Sequence, residues 1–344
     1  MDLKPLSEHK HETRLIGQSL IVLNMNQNPV SIVIPNYNGA AILEVNLPKV
    51  IKACQDYDGT CEIIVVDDAS SDRSVAVVTE NFPHVKLVRH DVNRGFAETV
   101  HSGVHAAAHE ILVFLNSDVR PHADFLAPLV ETLTASREVF SVSPLVYDPE
   151  GRLQNVSWNR YKMVRGTIKS TRWDLTTVRG FQNNGRALKS LFASGGSIAL
   201  KKEMFNILDG FLPLYKPFYL EDTDLCTRAW MRGWQTLFEP RSKVVHDHVG
   251  TIKRFFHAKK IRTIRTRNRF LYLWLYCSRH RLILSHVPWT ALRLLLRLLR
   301  LDLTFPIALL QSLAHFRLVN ALRSEMKQSQ FFKPLHQLLR EIQS

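Results

Sequence analysis

Between residues 30 and 119, short apolar runs alternate with longer stretches whose apolar positions recur at helical spacing. VSIVIPNYN (30–38) reads as a buried strand, rich in Val and Ile, stopped by Pro35 and the asparagines around it. A helical stretch follows through about Ala53. CEIIVVDDASSD (61–72) is a second strand closing on acids and turn formers, with Ser70 or Ser71 placed to cap the next helix. HVKLVRHD (84–91) is a third strand, GFAETVHSGVHAAAHE a third helix, and EILVFLNSDV (110–119) a fourth strand. This alternation predicts an α/β fold, a mainly parallel sheet flanked by helices. Ligands of such sheets gather beyond the carboxyl ends of the strands. Here those ends read PNYN, DDASSD, RHDVNRG and NSDV, so a polar ligand with a cation is expected there.

Beyond residue 140 the pattern loosens. Residues 150–190 are polar around Trp158 and Trp173 and read as loops around a pocket. LFASGGSIALKKEMF (191–205) reads as a strand passing Gly195 and Gly196, then a short helix. PFYLEDTDLCTRAW (217–230) places Glu221, Asp222 and Asp224 at the start of a helix that runs to about Arg232 and stops at Gly233. Asp222 or Thr223 is placed to cap that helix, and acids there complement the macrodipole by about 0.3–1 kcal/mol each. Three carboxylates behind an aromatic run exceed what capping needs, because burial raises their cost. A helix start and a general base are evenly matched readings. QTLFEPRSKVVHDHVG (235–250) is the last strand of this unit, and no internal repeat or low-complexity linker occurs.

Charge adds a second region. The chain carries 45 Lys+Arg against 31 Asp+Glu, net +14, and residues 251–300 hold thirteen of the basic residues and no acid. Arg293, Arg297 and Arg300 share one helical face among leucines, a pattern suited to an anionic membrane surface and also to packing on the preceding domain. Phe255, Phe256, Phe270, Tyr272 and Trp274 interleave with the basic residues, yet no nucleic-acid motif accompanies them, so no nucleic-acid partner is expected. The expected division is an extension (1–29), an α/β domain (30–250) and a basic helical region (251–344). Four cysteines fit idle thiols in a reducing compartment better than a disulfide framework. LIGQSLIVLNM, near the start, lacks a small-residue cleavage site, which argues against a signal peptide. FLYLWLYCS and LILSHVPWTAL fall short of the roughly 20 residues of a membrane span. The expectation is a cytoplasmic protein, peripheral on the inner face of the cell membrane.

Several residues invite chemistry. Asp118 at a strand end is a turn former or a ligand for a hard cation, which takes one or two carboxylates plus substrate oxygens. Asp67 and Asp68 either begin a helix or accept hydrogen bonds from a base or ribose. Asn93 and Gly95 form a flexible loop or a phosphate-facing helix N-terminus. His101, His105 and His109 recur every fourth residue with no acid or cysteine completing a metal set, so a solvated face is expected. His246 and His248 close a strand as polar ends or as metal ligands.

In order, SIVIPNYNG, EIIVVDDASSD, NRGFAE, ILVFLNSDV, FASGGSIALKKEMF, GF (210–211), FYLEDTDLCTRAWMRGWQTLFEP and VVHDHVG resemble family 2 glycosyltransferases of the GT-A fold, nearest to bacterial rhamnosyl- and galactofuranosyltransferase-like members. The resemblance implies a nucleotide-diphosphate sugar as donor, a glycan or lipid-linked acceptor, and Mg2+ or Mn2+ as cofactor. It implies that Pro35, Tyr37, Asp67 and Asp68 contact the base and ribose, and that Asn93, Gly95 and Ser117 line the nucleotide pocket. Gly195 and Gly196 would leave room for sugar and acceptor, and Asp118 with His246 (or His248) would hold the metal. Asp222 would be the catalytic base of an inverting transfer, with Glu221 supporting the acceptor. Asn116-Ser117-Asp118 carries one acid where the family's motif carries two, and Leu212-Pro213 stands where Asp-Glu is common. A non-catalytic sugar-nucleotide binder is the alternative those departures keep open.

Overall fold

The computed structural model describes residues 28–247 and 255–343. Its strands are β1 (Val30–Asn36), β2 (Cys61–Asp67), β3 (Lys86–Arg89), β4 (Ile111–Leu115), β5 (Val119–Pro121), β6 (Val139–Tyr147), β7 (Tyr161–Val164), β8 (Thr167–Ser170), β9 (Ser197–Lys201) and β10 (Gln235–His246). Eight of them form one sheet in the order β3-β2-β1-β4-β9-β6-β10-β5, and β7 and β8 pair as a hairpin outside it. β1, β2, β3 and β4 run parallel, as do β6 and β10, while β9 and β5 run against their neighbours. The carboxyl ends of the parallel strands and the start of β9 therefore meet at one edge.

Both faces of this sheet are covered, which explains its unbroken Val/Ile runs. Ile32 and Ile34 point to one layer with Leu43 and Leu47 of α1 (Ala40–Gln55), Val77 of α2 (Ser74–Asn81) and Leu129 of α4 (Leu126–Thr134). Val33 points to the other, with Val100 and Val104 of α3 (Phe96–Ala106) and Phe205 of α6 (Lys202–Ile207). Leu225 and Ala229 of α7 (Glu221–Met231) join that second layer. Each of these Val, Leu, Ile and Phe side chains contributes about 1.5–3 kcal/mol by leaving water.

The stretch that looked irregular is ordered. β6 is central although Ser141, Ser143 and Pro144 interrupt its apolar pattern, because Ser141 Oγ bonds Thr236 Oγ1 (2.9 Å) and Ser143 Oγ donates to the Ser157 carbonyl (2.8 Å). Residues 150–190 are not open loops. Trp158, 1% exposed, packs with Trp173, Phe238 and Phe181 of α5 (Leu175–Asn183) in a small aromatic core, and the β7–β8 hairpin follows the first tryptophan. Other local expectations are corrected too. Neither Ser70 nor Ser71 caps α2, where the Asp72 carboxylate takes the Ser74 amide (2.9 Å) instead; the residue before α7 is Leu220, and Asp222 inside the first turn takes the Thr223 amide (2.6 Å). His101 is not on a solvated face, since its Nε2 accepts the Phe211 amide (3.1 Å) between Phe205 and Phe211. Cys54 and Cys61 are not idle thiols but a disulfide joining the end of α1 to β2, with Cα atoms 5.6 Å apart, while Cys226 and Cys277 are buried and free.

The basic region continues with α8 (Ala258–Tyr276), α9 (Arg279–Leu299), α10 (Thr304–Ala314), α11 (Phe316–Gln328) and α12 (Leu335–Gln343). α8 is built into the sheet domain: Tyr272 and Thr227 hydroxyls bond at 2.8 Å, and Tyr276 donates to Asp224 at 2.6 Å. α9 is 21 residues long, and by length and composition it can cross a membrane; only 6% of its apolar window is buried. That length exceeds what the uncharged runs implied, because the helix continues through its arginines. His248, Gly250 and the stretch LIGQSLIVLNM lie outside the described residues.

Candidate active site

At the tip of β2, Asp67 accepts from Asn36 Nδ2 (3.0 Å), the Ser70 amide (3.0 Å) and the Ser70 hydroxyl (2.6 Å). Asp68 accepts from His90 Nδ1 (2.7 Å) and from the amides of Arg94 and Gly95 (2.8 Å each). An ionised carboxylate only accepts, so Nδ1 of His90 carries the proton here. Both aspartates are buried, and most of their lone pairs serve their own loops; each keeps room for about one further donor. Pro35 lies opposite Val66 in the sheet register, and Tyr37 beyond it rests on Phe255, ring centres 5.6 Å apart. The Asn93 side chain donates to the Asp68 carbonyl (3.3 Å). Gly95 (φ 85°) leads α3, and its amide, read as a phosphate donor, is engaged by Asp68.

The tip of β4 carries Asn116, Ser117 and Asp118. The Ser117 carbonyl is held by Asn46 Nδ2 (2.8 Å) from α1. Asp118 is 5% exposed, and His246, at the end of β10, brings Nε2 to 3.3 Å from its Oδ1. The Asp247 amide donates to the Asp118 carbonyl (3.0 Å), and the Asp247 carboxylate pairs with Arg120. Asp118 and His246 are thus brought together as expected, though no set of three or more His, Cys, Asp or Glu groups able to hold a metal occurs among the described residues. Gly196 owes its lack of a side chain to its own fold: a Cβ there would stand 2.9 Å from Asn116 Nδ2. At Gly195 the added atom would meet Asp222 and Phe96 at ordinary contact, 3.6 Å, so packing alone does not demand a glycine there.

The three carboxylates of α7 have three different surroundings. Tyr219 (φ 76°) and Leu220 (φ 77°) both adopt the left-handed conformation, and the turn is fixed by Asn268 of α8, whose Nδ2 reaches the carbonyls of Tyr215, Phe218 and Tyr219 at 2.8, 3.0 and 2.8 Å. Asp224, wholly buried, accepts from the hydroxyls of Tyr215 (2.9 Å) and Tyr276 (2.6 Å) and from Arg228 Nε (2.8 Å). Arg228 also donates to the carbonyls of Leu208 and Gly210, so this group ties α7, the GF turn and α8 together. Asp222 accepts the Gly195 amide (3.1 Å), the Thr223 amide (2.6 Å) and the Thr223 hydroxyl (3.2 Å). Burial pushes its pKa up, and those donors oppose the shift. Glu221 has a buried Oε2 without a partner, and burial followed by the Asp222 charge pushes its pKa up to about 8. Donors favour the ionised form, and Asp222 has them where Glu221 has none, so within the pair the negative charge favours Asp222 and the proton Glu221.

Sequence reasoning missed His90, Tyr215, Arg228, Asn268 and Tyr276. Arg228 stands inside the quoted LEDTDLCTRAW motif without a role assigned to it, the Asn268 and Tyr276 contacts appear only when α8 lies against the 215–224 stretch, and the role of His90 appears only when α3 brings Ser102 beside β3.

Residues 31–207 match the glycosyl transferase family 2 model. The chain belongs to that family, and its mainly parallel sheet with flanking helices is the expected GT-A-like architecture. Among curated relatives, human polypeptide N-acetylgalactosaminyltransferase 16 is 26% identical over 198 residues, 54% of this chain and 34% of that protein. The N-acetylglucosaminyl-diphospho-decaprenol L-rhamnosyltransferase of Mycobacterium tuberculosis is 20% identical over 202 residues, 54% of this chain and 66% of that protein. The chain thus spans about a third of the first relative's length. A solved mannosyltransferase of Pyrobaculum calidifontis, in complex with GDP-Man and Mn2+, superposes with a TM-score of 0.51 at 20% identity, covering 92% of this chain and 85% of that one.

Proposed function

We propose that the protein is an inverting glycosyltransferase that moves a sugar from a nucleotide-diphosphate donor to a hydroxyl of a glycan or lipid-linked acceptor. The observation that carries this reading is Asp222 at the strand tips, oriented by the Gly195 and Thr223 amides beside a Glu221 whose pKa burial raises. The donor's base and ribose lie over Pro35, Tyr37, Asp67 and Asp68, near Asn93 and Gly95, with Ser117 at the β4 tip. Asp222 takes the proton of the acceptor hydroxyl as its oxygen bonds to the anomeric carbon, and the bond to the nucleotide diphosphate breaks with inversion. Glu221, protonated beside it, has a hydrogen to donate to an acceptor oxygen.

One carboxylate and one imidazole at 3.3 Å fit a Mg2+ or Mn2+ ion whose remaining ligands are diphosphate oxygens and water, and the imidazole favours Mn2+. When bound, such an ion offsets charge on the leaving diphosphate. Asp118 and His246 are the residues that would hold it.

The acceptor reading draws on the mycobacterial relative, whose name specifies a lipid-diphosphate substrate, and on α9 and α10, which expose Leu295 (55%), Leu299 (72%) and Leu310 (66%). We place the 251–344 region on an anionic membrane surface, lying along it, because Arg293, Arg297 and Arg300 would otherwise be carried into hydrocarbon. The cysteines no longer speak for the cytoplasmic side of that placement, because Cys54 and Cys61 form a disulfide. The test is incubation with UDP-, dTDP- and GDP-sugars, Mn2+ and lipid-linked or glycan acceptors. A product with inverted anomeric configuration, lost in Asp222→Asn, is expected. Donor binding without any turnover would favour the non-catalytic binder.

A further inference from the structure

A cleft of about 420 Å³ opens between β8, α8, α9 and α10. Lys169, Arg269, Arg293, Arg297 and Arg300 line it, and no carboxylate does. Arg297 is paired with Asp302 just outside, but Arg269 and Arg293 have no carboxylate partner among the described residues. Burial, and after it the charges of Arg265 and Arg293, weakens the hold of Arg269 on its proton; burial, then Arg165 and Arg297, does the same to Arg293. Cations gathered without counter-charge repel one another, so an anion entering the cleft is favoured. Guanidinium forks match phosphate oxygens in pairs.

The cleft is built rather than incidental. Gly166, at the hairpin turn, is so close to α9 that a Cβ would stand 2.4 Å from the His286 Cα. His286 Nδ1 lies 2.6 Å from the Gly166 carbonyl, and its Nε2 accepts from Trp274 Nε1 at 3.1 Å. The Trp donor at Nε2 leaves the proton on Nδ1, so this imidazole is a neutral pin between hairpin, α8 and α9. Arg165, at the same turn, lies over the Trp289 ring of α9 at 4.9 Å, a second tie between hairpin and helix.

Its position says what it would hold. On its outer side, α9 and α10 expose leucines such as Leu295, Leu299 and Leu310. On its inner side, Tyr161 of β7 feels the charges of both Arg269 and Asp222, and its ring lies 5.9 Å from Phe192, three residues before the Gly195 that holds Asp222. A cationic cleft between an apolar face and a catalytic base suits one ligand shape, with a hydrocarbon chain, then phosphate, then a hydroxyl-bearing end.

We propose that the arginine cleft binds the phosphate of a lipid-linked acceptor, so that its hydrocarbon runs along α9 and α10 and its hydroxyl end points toward Asp222. This rests on the transferase reading and names its acceptor class.

The test is flotation of the full chain with phosphatidylcholine vesicles carrying a long-chain polyprenyl phosphate, the parent polyprenol, or phosphatidylglycerol at equal mole fraction. Polyprenyl phosphate should retain the protein best. The Arg269→Gln/Arg293→Gln double variant should lose that preference by about tenfold or more, since each cation near a lipid phosphate is worth several-fold. Arg293→Lys, which keeps the charge and loses the fork, should lose less of it than the double variant. A donor-nucleotide thermal shift on the same variants, equal to wild type, shows that they fold and that the donor site is separate. Equal retention by polyprenol or by phosphatidylglycerol, or an unchanged double variant that still responds to nucleotide, overturns the proposal. Absence of any nucleotide response in wild type strikes the transferase reading instead, and leaves flotation to judge the cleft.

Discussion

Glu221→Gln removes the proton-binding group of the α7 pair while keeping its shape. In the native protein, burial and the neighbouring Asp222 charge move Glu221 from 4.5 to about 8. A carboxyl raised on folding binds more protons in the folded state across that interval. Its contribution is therefore fully present below the unfolded value of 4.5 and is lost as pH rises through about 8. At about 1.4 kcal/mol per unit, the interval is worth at most roughly 5 kcal/mol, and water entering the pocket lowers this toward about 3. Urea unfolding of wild type and Glu221→Gln at pH 5, 7 and 9 reads it directly. The variant should gain on wild type by about 3 kcal/mol between pH 5 and pH 9, with most of the change below pH 8. Parallel stability curves would refute the burial argument. A wild type that gains on the variant as pH rises would mean that a cation, not Asp222, faces Glu221.

Asp222→Asn should lower transfer by about 10²–10⁴-fold while leaving metal-dependent donor binding in place, as titration calorimetry of the nucleotide would show. Because burial raises the Asp222 pKa, kcat/KM should climb with pH through a midpoint above the ordinary carboxylate range; a profile flat from pH 4 upward would remove Asp222 as the base. Arg228→Met leaves Asp224 buried with only its two tyrosines and should cost about 3–5 kcal/mol in denaturant unfolding. A loss within about 0.5 kcal/mol would show that the pair is not structural.

The half of the fold up to β4 was legible because each strand is buried on both faces and each helix on one, so periodicity and burial coincide. It failed at β6, whose serines are satisfied by Thr236 and Ser157, partners that no local pattern reveals. It failed again at residues 150–190, where Trp158 and Trp173 pack on Phe238 from a distant strand. The acidic motifs were found at the correct edge, and Asp118 and His246 meet there from positions far apart in the chain. Their division of labour was not legible. Asp224 becomes structural through Tyr215, Arg228 and Tyr276, and Asp68 becomes a loop anchor through His90 and the Arg94 and Gly95 amides.

The most direct test is a thermal-shift panel of UDP-, dTDP- and GDP-sugars, each with and without Mn2+, on wild type and Asp118→Ala. One nucleotide should stabilise wild type only with metal, by about 2.7 kcal/mol at a hundredfold excess over its dissociation constant, and the variant should lose that response. No shift with any nucleotide, or an equal shift in Asp118→Ala, would contradict a metal-assisted sugar-nucleotide site at these strand tips.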